Sequence, residues 1–235
     1  MRVMALLYPG QTPQDMIGAL TSLGALPGYE GQFVWKTPGP VQSDCAISLV
    51  ATHSYDTAWK DPDILLVGGG GKPTMDRLDD EETLAFLADR GAKAQWVTSV
   101  CTGSLLLGAA GLLRGYRSAC HWAVREALAS FGAIPSSDRV VFDRNRASGG
   151  GVTAGIDFGL ALVGRISGDT YGRMVELIME YAPEPPYGCG RPELADPATL
   201  EAAVSFFSSS VPVDAIARAA ARLPQRSTAE GAEGK

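Results

Sequence analysis

The sequence predicts an α/β protein in which a mostly parallel sheet carries helices on both faces. Segments typical of strands alternate along the chain with segments that have the helical period, and this order is typical of parallel sheets. The strands at 63–67 and 95–100 are apolar throughout instead of alternating. Such strands are expected to be buried on both sides, which favours the same fold class.

The predicted strands are short apolar runs, most of them bounded by glycine or proline. They lie at 2–8, 31–37, 63–71 and 95–100, with two hairpins at 40–58 and 139–148. The strand at 63–71 runs into four consecutive glycines, and the strand at 95–100 runs into Cys101. Both ends are therefore places where a backbone turn is expected.

The predicted helices have apolar residues at helical spacing. They lie at 12–26, 79–93, 102–113, 123–133, 149–167, 169–182 and 197–223. Thr12 and Pro13 are a typical cap and first residue of a helix. Gly168 is expected to separate two helices, and Pro212 to bend the last one.

A chain of 235 residues is long enough to bury one large core. It shows no internal repeat, no long linker and no shift in composition. We therefore predict a single domain over 1–235, in which 197–235 forms a C-terminal helix and a polar, mobile tail.

Charge and composition argue against several classes of partner. The net charge is −6, and no cluster of Lys and Arg is present, so we expect no nucleic-acid partner. No apolar run reaches the roughly 18 residues of a membrane helix, and the first apolar run is too short for a signal peptide. The cysteines are far apart and form no C-x-x-C pair, which predicts neither a zinc site nor disulfides and fits the cytoplasm. They are Cys45, Cys101, Cys120 and Cys189.

Two glycine-rich segments resemble nucleotide-binding motifs without matching them. GGGGKPT at 68–74 lacks the earlier glycine of a phosphate loop, because Leu66 stands there. GGGVTA at 149–154 fits G-x-G-x-x-A, but it follows a hairpin late in the chain instead of a first strand. We interpret the first as a turn at a strand end and the second as tight helix packing.

Cys101 lies where a strand gives way to a helix, in the segment TSVCTGSLLLGAAGLL. Small residues, Ser99 and Gly103, stand two positions on either side, as in the nucleophile elbow of hydrolases. A following helix would favour the thiolate, and the amide of Thr102 would point toward charge near the sulfur. The alternative is a buried structural cysteine. We favour a reactive thiol.

Two further side chains are candidates for the same site. Asp15 follows the first strand, and the carboxyl ends of parallel strands meet at one edge of a sheet. Its alternative role is that of an ordinary first-turn acid, and spacing alone does not decide between the two. His121, where a helix is predicted to begin in CHWAVRE, is a candidate substrate contact. A structural hydrogen-bonding role is its alternative.

The chain resembles the ThiJ/PfpI superfamily, and within it the isocyanide hydratase branch. The resemblance runs from the first strand to about residue 190 and rests on TSVCTGSLLLGAAGLL, ACHW, GGGVTAGIDFGLAL and EYAPEPPY. It implies a flavodoxin-like three-layer sandwich with a mostly parallel sheet and a cysteine nucleophile elbow. It also implies a homodimer.

The resemblance implies a role for each matching residue. Cys101 would be the nucleophile, and Asp15, in the D-x-x-G segment DMIG, would replace the Glu of other members. The proline that usually follows this segment is Ala19 here. Amides that stabilise negative charge would be those of Thr102 and Gly70, the glycine being uncertain by one position within the run.

The implied reaction adds water to an isocyanide and gives an N-substituted formamide through a thioimidate on Cys101. No metal or organic cofactor is expected. Thr102 stands where peptidase-like members carry His, which argues against a protease, and the chain after residue 200 is too short for a helix-turn-helix pair. The alternatives are a glyoxalase or deglycase acting on α-oxoaldehydes, a cysteine-based redox or stress sensor, and a ligand-binding regulator. Asp instead of Glu at position 15 weighs against the first.

Overall fold

A six-stranded sheet forms the centre of the fold in the computed structural model, which describes residues 1–212 and 214–229. The strands of these residues are β1 (Arg2–Leu6), β2 (Glu30–Val34), β3 (Gly39–Gln42), β4 (Ser48–Ala51), β5 (Ile64–Val67), β6 (Trp96–Val100), β7 (Arg117–Ser118), β8 (Ile134–Pro135), β9 (Val140–Asp143) and β10 (Arg146–Gly149). The central sheet has the order β2-β1-β5-β6-β10-β9, and its neighbours are parallel except β9 with β10. The predicted mostly parallel sheet is confirmed.

The helices cover both faces of this sheet. The α-helices of the described part are α1 (Pro13–Leu23), α2 (Gly71–Arg77), α3 (Glu81–Lys93), α4 (Gly103–Ala109), α5 (Ala154–Ser167), α6 (Asp169–Ile178), α7 (Pro197–Ser210) and α8 (Asp214–Ala229), with 3-10 helices at Arg125–Phe131 and Pro192–Leu194. None of them, within these residues, combines the length and the apolar character that a bilayer-crossing helix requires.

The core consists of two apolar layers separated by the sheet. Because side chains alternate along a strand, Met4 and Leu6 pack on one face against α2, α3, α4 and α8. Val3 and Ala5 pack on the other face against α1, α5 and α6. The three-layer sandwich thus follows from strands that are apolar at every position.

Several predicted helices differ from those of the structure. The segment 149–167 starts with the last residue of β10 and a turn, and α5 begins only at Ala154. The segment 123–133 forms the 3-10 helix Arg125–Phe131 instead of an α-helix. The segment 102–113 ends as α4 at Ala109, and Gly111 follows with a φ of +82°. The segment 197–223 is two helices, because Pro212 has no amide to donate to a continuing helix.

The sequence did not predict helix α2. The predicted polar tail also differs from the structure in its first residues. Helix α2 begins at Gly71 inside GGGGKPT, where glycine and proline disfavour helix by propensity. Pro73 is tolerated because it falls in the first turn, where amides lack helical partners. Of the predicted mobile tail, 224–229 belong to α8. Residues 230–235 lie outside the described residues.

The strand order determines where a site can form. Strands β1, β5 and β6 are consecutive neighbours and parallel, so the segments that leave them emerge at the same edge of the sheet. These segments carry Asp15, the glycine run 68–71 and Cys101.

Candidate active site

Cys101 occupies a strained turn between β6 and α4. It is one of four non-glycine residues with positive φ in the described part, at 60°, a conformation that costs of the order of 1–3 kcal/mol. Its amide donates to the carbonyl oxygens of Gly150 at 2.7 Å and Gly149 at 3.2 Å. The neighbouring strand β10 and the residue after it thus hold the turn in place.

The small residues on either side of Cys101 are required by packing. A Cβ atom on Gly103 would lie 2.8 Å from the carbonyl oxygen of Gly68 and would also collide with that of Val67. Ser99 is buried, and its hydroxyl contacts that of Ser104 at 2.9 Å. The elbow geometry expected from the spacing is therefore present in the backbone.

Asp15 lies beside the thiol in the first turn of α1 and is fully buried. Its Oδ2 accepts a hydrogen bond from the Gly69 amide at 2.6 Å. Its Oδ1 is buried without a hydrogen bond of standard geometry. The Cys101 thiol is near enough to lower the pKa of the carboxyl group by hydrogen bonding. The structure thus brings Asp15 and Cys101 together.

Burial dominates the protonation of this pair. It raises the pKa of Asp15 to about 7, against the opposing effects of the Gly69 amide and the Cys101 side chain. It also raises the pKa of Cys101 well above its ordinary value, and the Asp15 charge adds to this shift. The Thr102 amide lowers the pKa of Cys101, as expected for an elbow, but burial outweighs it. At neutral pH the resting thiol is protonated and the carboxyl group is poised between its two forms.

The four glycines after β5 have distinct positions. The amide of Gly69 is bound to Asp15, and the amide of Gly70 donates to Thr102 Oγ1 at 3.1 Å. Since its single N–H is used there, Gly70 does not present a free amide for the expected stabilisation of charge. A Cβ on Gly69 would lie 2.6 Å from the Thr102 nitrogen and 3.1 Å from Asp15 Oδ2. Gly69 is therefore the glycine that packs against both Thr102 and Asp15.

A hydrogen-bonded group behind the elbow was missed by the sequence analysis. Thr102 Oγ1 contacts Thr74 Oγ1 at 2.9 Å, and Thr74 Oγ1 contacts the Tyr8 hydroxyl at 3.0 Å. The Tyr8 hydroxyl donates to the Gly68 carbonyl oxygen at 2.9 Å. Two signals were available: a tyrosine just after the first strand, and a threonine within GGGGKPT.

Helix α5 packs directly on the backbone of Asp15. A Cβ on Gly155 would lie 2.8 Å from the Asp15 carbonyl oxygen. At the end of β10, a Cβ on Gly149 would lie 3.0 Å from the Ala154 carbonyl oxygen. Gly149 and Gly155 thus serve close packing, which agrees with our interpretation of GGGVTA at Gly149, whereas a Cβ on Gly150 or Gly151 would meet only ordinary contacts of 3.5 Å or more.

His121 lies next to this site without touching the thiol. Its ring stacks on Phe207 of α7, with centroids 4.9 Å apart, and burial lowers its pKa. With Cys120 and Gly150 it lines a cleft of about 220 Å³, which also includes Arg125 and other residues but not Cys101. Gly150 links this cleft to the elbow, because it lines the cleft and its carbonyl oxygen accepts a hydrogen bond from the Cys101 amide.

Among the residues that the structure describes, no group of three His, Cys, Asp or Glu is arranged to hold a metal ion. Cys101 and Cys120 are buried and in no disulfide, whereas Cys45 is exposed. The elements that converge at Cys101 bring together its thiol, the Asp15 carboxyl group, backbone amides and the row of hydroxyl groups behind the elbow.

The fold and the site together define a three-layer α/β protein with a cysteine at a strand-to-helix elbow and a buried carboxyl group beside it. The chain belongs to the DJ-1/PfpI family, whose profile matches residues 1–165. The expected family is thus confirmed.

Two relatives match over nearly the whole chain, and a third matches over part of it. The chain is 41% identical to the isonitrile hydratase of Pseudomonas putida over 94% of this chain and 97% of that protein. A crystal structure of a ThiJ/PfpI family protein from Pseudomonas syringae has a TM-score of 0.89 and 42% identity, and covers 93% of this chain and 90% of that one. The transcriptional regulator GbdR of Pseudomonas aeruginosa is 31% identical over 59% of this chain and 36% of its own length.

Proposed function

We propose that this protein is an isonitrile hydratase, which adds water to an isocyanide and releases an N-substituted formamide. The observation that carries the proposal is the pairing of a buried carboxyl group, Asp15, with the thiol of Cys101 at the elbow. The similarity to a full-length isonitrile hydratase supports it. A small-molecule substrate follows from this reaction.

The reaction needs a nucleophile for the terminal carbon of the isocyanide and a proton for the same carbon. The Cys101 sulfur attacks that carbon while Asp15 takes the thiol proton, and Asp15 then delivers this proton to the carbon. The product of these steps is a thioimidate, R–N=CH–S–Cys, which holds all atoms of the isocyanide and of the thiol.

Hydrolysis then restores the enzyme. Asp15 takes a proton from water as the water oxygen adds to the thioimidate carbon, and Asp15 then gives this proton to the substrate nitrogen. Collapse of this adduct breaks the carbon–sulfur bond, gives R–NH–CHO and returns the hydroxyl proton to the Cys101 sulfur. One water molecule is consumed for each isocyanide.

The pKa values suit this cycle. A carboxyl group with a pKa of about 7 can both accept and donate a proton at neutral pH. The Thr102 amide, which lowers the pKa of Cys101, stabilises the negative charge that passes through the sulfur. We assign to Gly70 the positioning of Thr102, and to His121 a contact with the organic group of the substrate in the adjoining cleft.

The test is formamide production from p-nitrophenyl isocyanide, followed by ultraviolet absorbance. We expect turnover by the wild type and by Cys45→Ala, an exposed-cysteine control. Cys101→Ala and Asp15→Asn should lose at least about 1000-fold, since each removes a covalent or proton-transfer step. Absence of turnover by the wild type, or wild-type rates in Cys101→Ala, would reject the proposal.

We also propose that the chain acts as one domain over 1–235, as a cytoplasmic homodimer, and without metal or organic cofactor. Exposed apolar side chains on α6, Leu177 and Ile178, favour a covered surface there. Sedimentation equilibrium at micromolar concentration should give twice the mass of the chain, and a monomer mass would contradict the homodimer.

A further inference from the structure

A row of buried hydrogen bonds behind the elbow carries an inference that deepens the proposed function and rests on it. The Gly70 amide donates to Thr102 Oγ1 at 3.1 Å, and Thr102 Oγ1 lies 2.9 Å from Thr74 Oγ1. Thr74 Oγ1 lies 3.0 Å from the Tyr8 hydroxyl, which donates to the Gly68 carbonyl oxygen at 2.9 Å. The three hydroxyl side chains are buried.

The two ends of this row fix the direction of every proton in it. An amide N–H can only donate and a carbonyl oxygen can only accept, whereas each hydroxyl has a single proton. The Tyr8 hydroxyl donates its only proton to the Gly68 carbonyl oxygen, so the Thr74 hydroxyl must donate to the Tyr8 oxygen. Thr102 must then donate to Thr74, because the Thr74 proton is already used.

We propose that Tyr8 is a positioning residue that, through Thr74, holds the hydroxyl proton of Thr102 away from Asp15. The Thr102 oxygen and the Asp15 carboxyl group converge at Gly69. A Cβ on Gly69 would collide with Thr102 Oγ1 and lie 3.1 Å from Asp15 Oδ2. With its proton on Thr74, the Thr102 oxygen can only accept hydrogen bonds on the side of the site.

This arrangement keeps Asp15 ready to accept the thiol proton. A carboxylate is stabilised by each hydrogen bond that it accepts, and Asp15 already accepts one from Gly69. A second donor from Thr102 would favour the charged carboxylate and hold back proton transfer from Cys101. The row of hydroxyls withholds that donor.

The other ionisable groups around Asp15 and Cys101 are left unaltered by substitutions at Tyr8 and Thr74. Asp44, in the loop between β3 and β4, raises the pKa of Asp15, and Cys120, after β7, raises that of Cys101. Arg77 of α2 acts on Tyr8. Helix α5 contributes the uncharged backbone at Gly155 beside Asp15. A pH shift caused by loss of the Tyr8 hydroxyl can therefore be assigned to the row itself.

The test measures Cys101 alkylation by iodoacetamide as a function of pH, quantified by mass spectrometry of its peptide. This readout requires no isocyanide. In Tyr8→Phe, Thr74 no longer has to donate to Tyr8, and the Thr102 proton is free to turn to Asp15. We expect the limiting alkylation rate above the midpoint to fall about threefold, because Asp15 becomes a weaker base, and the midpoint to lie about half a pH unit lower, because the pKa of Asp15 falls.

Three further variants separate proton placement from a general structural effect. Thr74→Val removes the acceptor of the Thr102 proton and should shift the midpoint in the same direction, whereas Thr74→Ser keeps the hydroxyl and should match the wild type. Tyr55→Phe removes a buried tyrosine–threonine bond of 2.9 Å to Thr83, far from the elbow, and should leave the midpoint unchanged.

The role of Tyr8 and the hydratase function can be rejected by different outcomes. Wild-type midpoints in both Tyr8→Phe and Thr74→Val, or an equal shift in Tyr55→Phe, would overturn the role of Tyr8. If Tyr8→Phe does not fold, as judged by thermal unfolding, Thr74→Val decides alone. A shifted midpoint in a protein that hydrates no isocyanide would sustain the proton placement and reject the hydratase.

Discussion

At the scale of single residues, Cys101 and its neighbours show how a strained turn is retained. The positive φ of Cys101 is unfavourable by itself. Its amide is held by the carbonyl oxygens of Gly149 and Gly150, and Gly103 lets the next turn approach the backbone of Val67 and Gly68. The surrounding contacts therefore determine a conformation that the residue alone would avoid.

Gly103→Ala should destabilise the protein although alanine is the better helix former. The new methyl group would lie 2.8 Å from the Gly68 carbonyl oxygen, which is backbone and cannot move aside. We expect the free energy of unfolding to fall by about 2–3 kcal/mol, measured by urea denaturation. Gly164→Ala is the matched control, since the nearest atom to its Cβ is 3.9 Å away. Equal stabilities of the two variants would contradict the packing account.

Asp15 should lower the stability of the fold as the pH rises. Its folded pKa of about 7 lies above the ordinary 3.8, so the folded state binds more protons than the unfolded state between these values. Stability contributed by the protonated form is thus lost from about pH 4 to pH 7. A shift of this size is of the order of 4 kcal/mol. Asp15→Asn should therefore raise the melting temperature more at pH 8 than at pH 4. An equal change at both pH values would contradict the raised pKa.

The pH dependence of turnover tests the same carboxyl group as a base. Because the proposed first step needs the Asp15 carboxylate to take the thiol proton, kcat/KM should rise with pH through a midpoint near 7. Asp44→Asn removes a charge that raises the pKa of Asp15, so it should move this midpoint downward. A midpoint near 4 in the wild type would contradict a buried base.

At the scale of elements, the strands and the elbow could be predicted from sequence, whereas α2 and the hydroxyl row could not. An apolar strand followed by small residues around Cys101 is a local pattern. Helix α2 begins with residues of poor helix propensity and is stabilised by tertiary packing of Met75. The contact between Tyr8 and Thr74 joins residues 66 positions apart, and only the order of β1 and β5 brings them together.

Helix α7 is weakly attached to the described fold, because none of its described side chains is fully buried. Its contacts with the body include ring stacking of Phe207 on His121, and Phe207 also lies near Trp122. Phe207→Ala should increase proteolytic cleavage within 182–212 severalfold, because local opening becomes easier. Val204→Ala alters an exposed apolar residue of the same helix and serves as the control. Equal cleavage of the two variants would show that Phe207 does not hold the helix.

At the scale of the whole molecule, the parallel sheet explains why residues 15, 69 and 101 meet. Three strands that are neighbours in the sheet release their chains at the same edge. The fold class and the meeting of Asp15 with Cys101 could therefore be anticipated. The sequence could not predict which glycine amide donates to which acceptor, because a run of four glycines carries no side-chain signal. That assignment requires the hydrogen bonds of Gly69 and Gly70 in the structure.

The most direct test of the central claim is mass spectrometry of the acid-quenched protein during reaction with p-nitrophenyl isocyanide. The covalent mechanism predicts an adduct on the Cys101 peptide that adds the full mass of the isocyanide, since the thioimidate retains every atom of the substrate. Cys101→Ala should show no adduct at this peptide. Formamide production by the wild type without any adduct on Cys101 at early times, or with equal turnover in Cys101→Ala, would contradict the account.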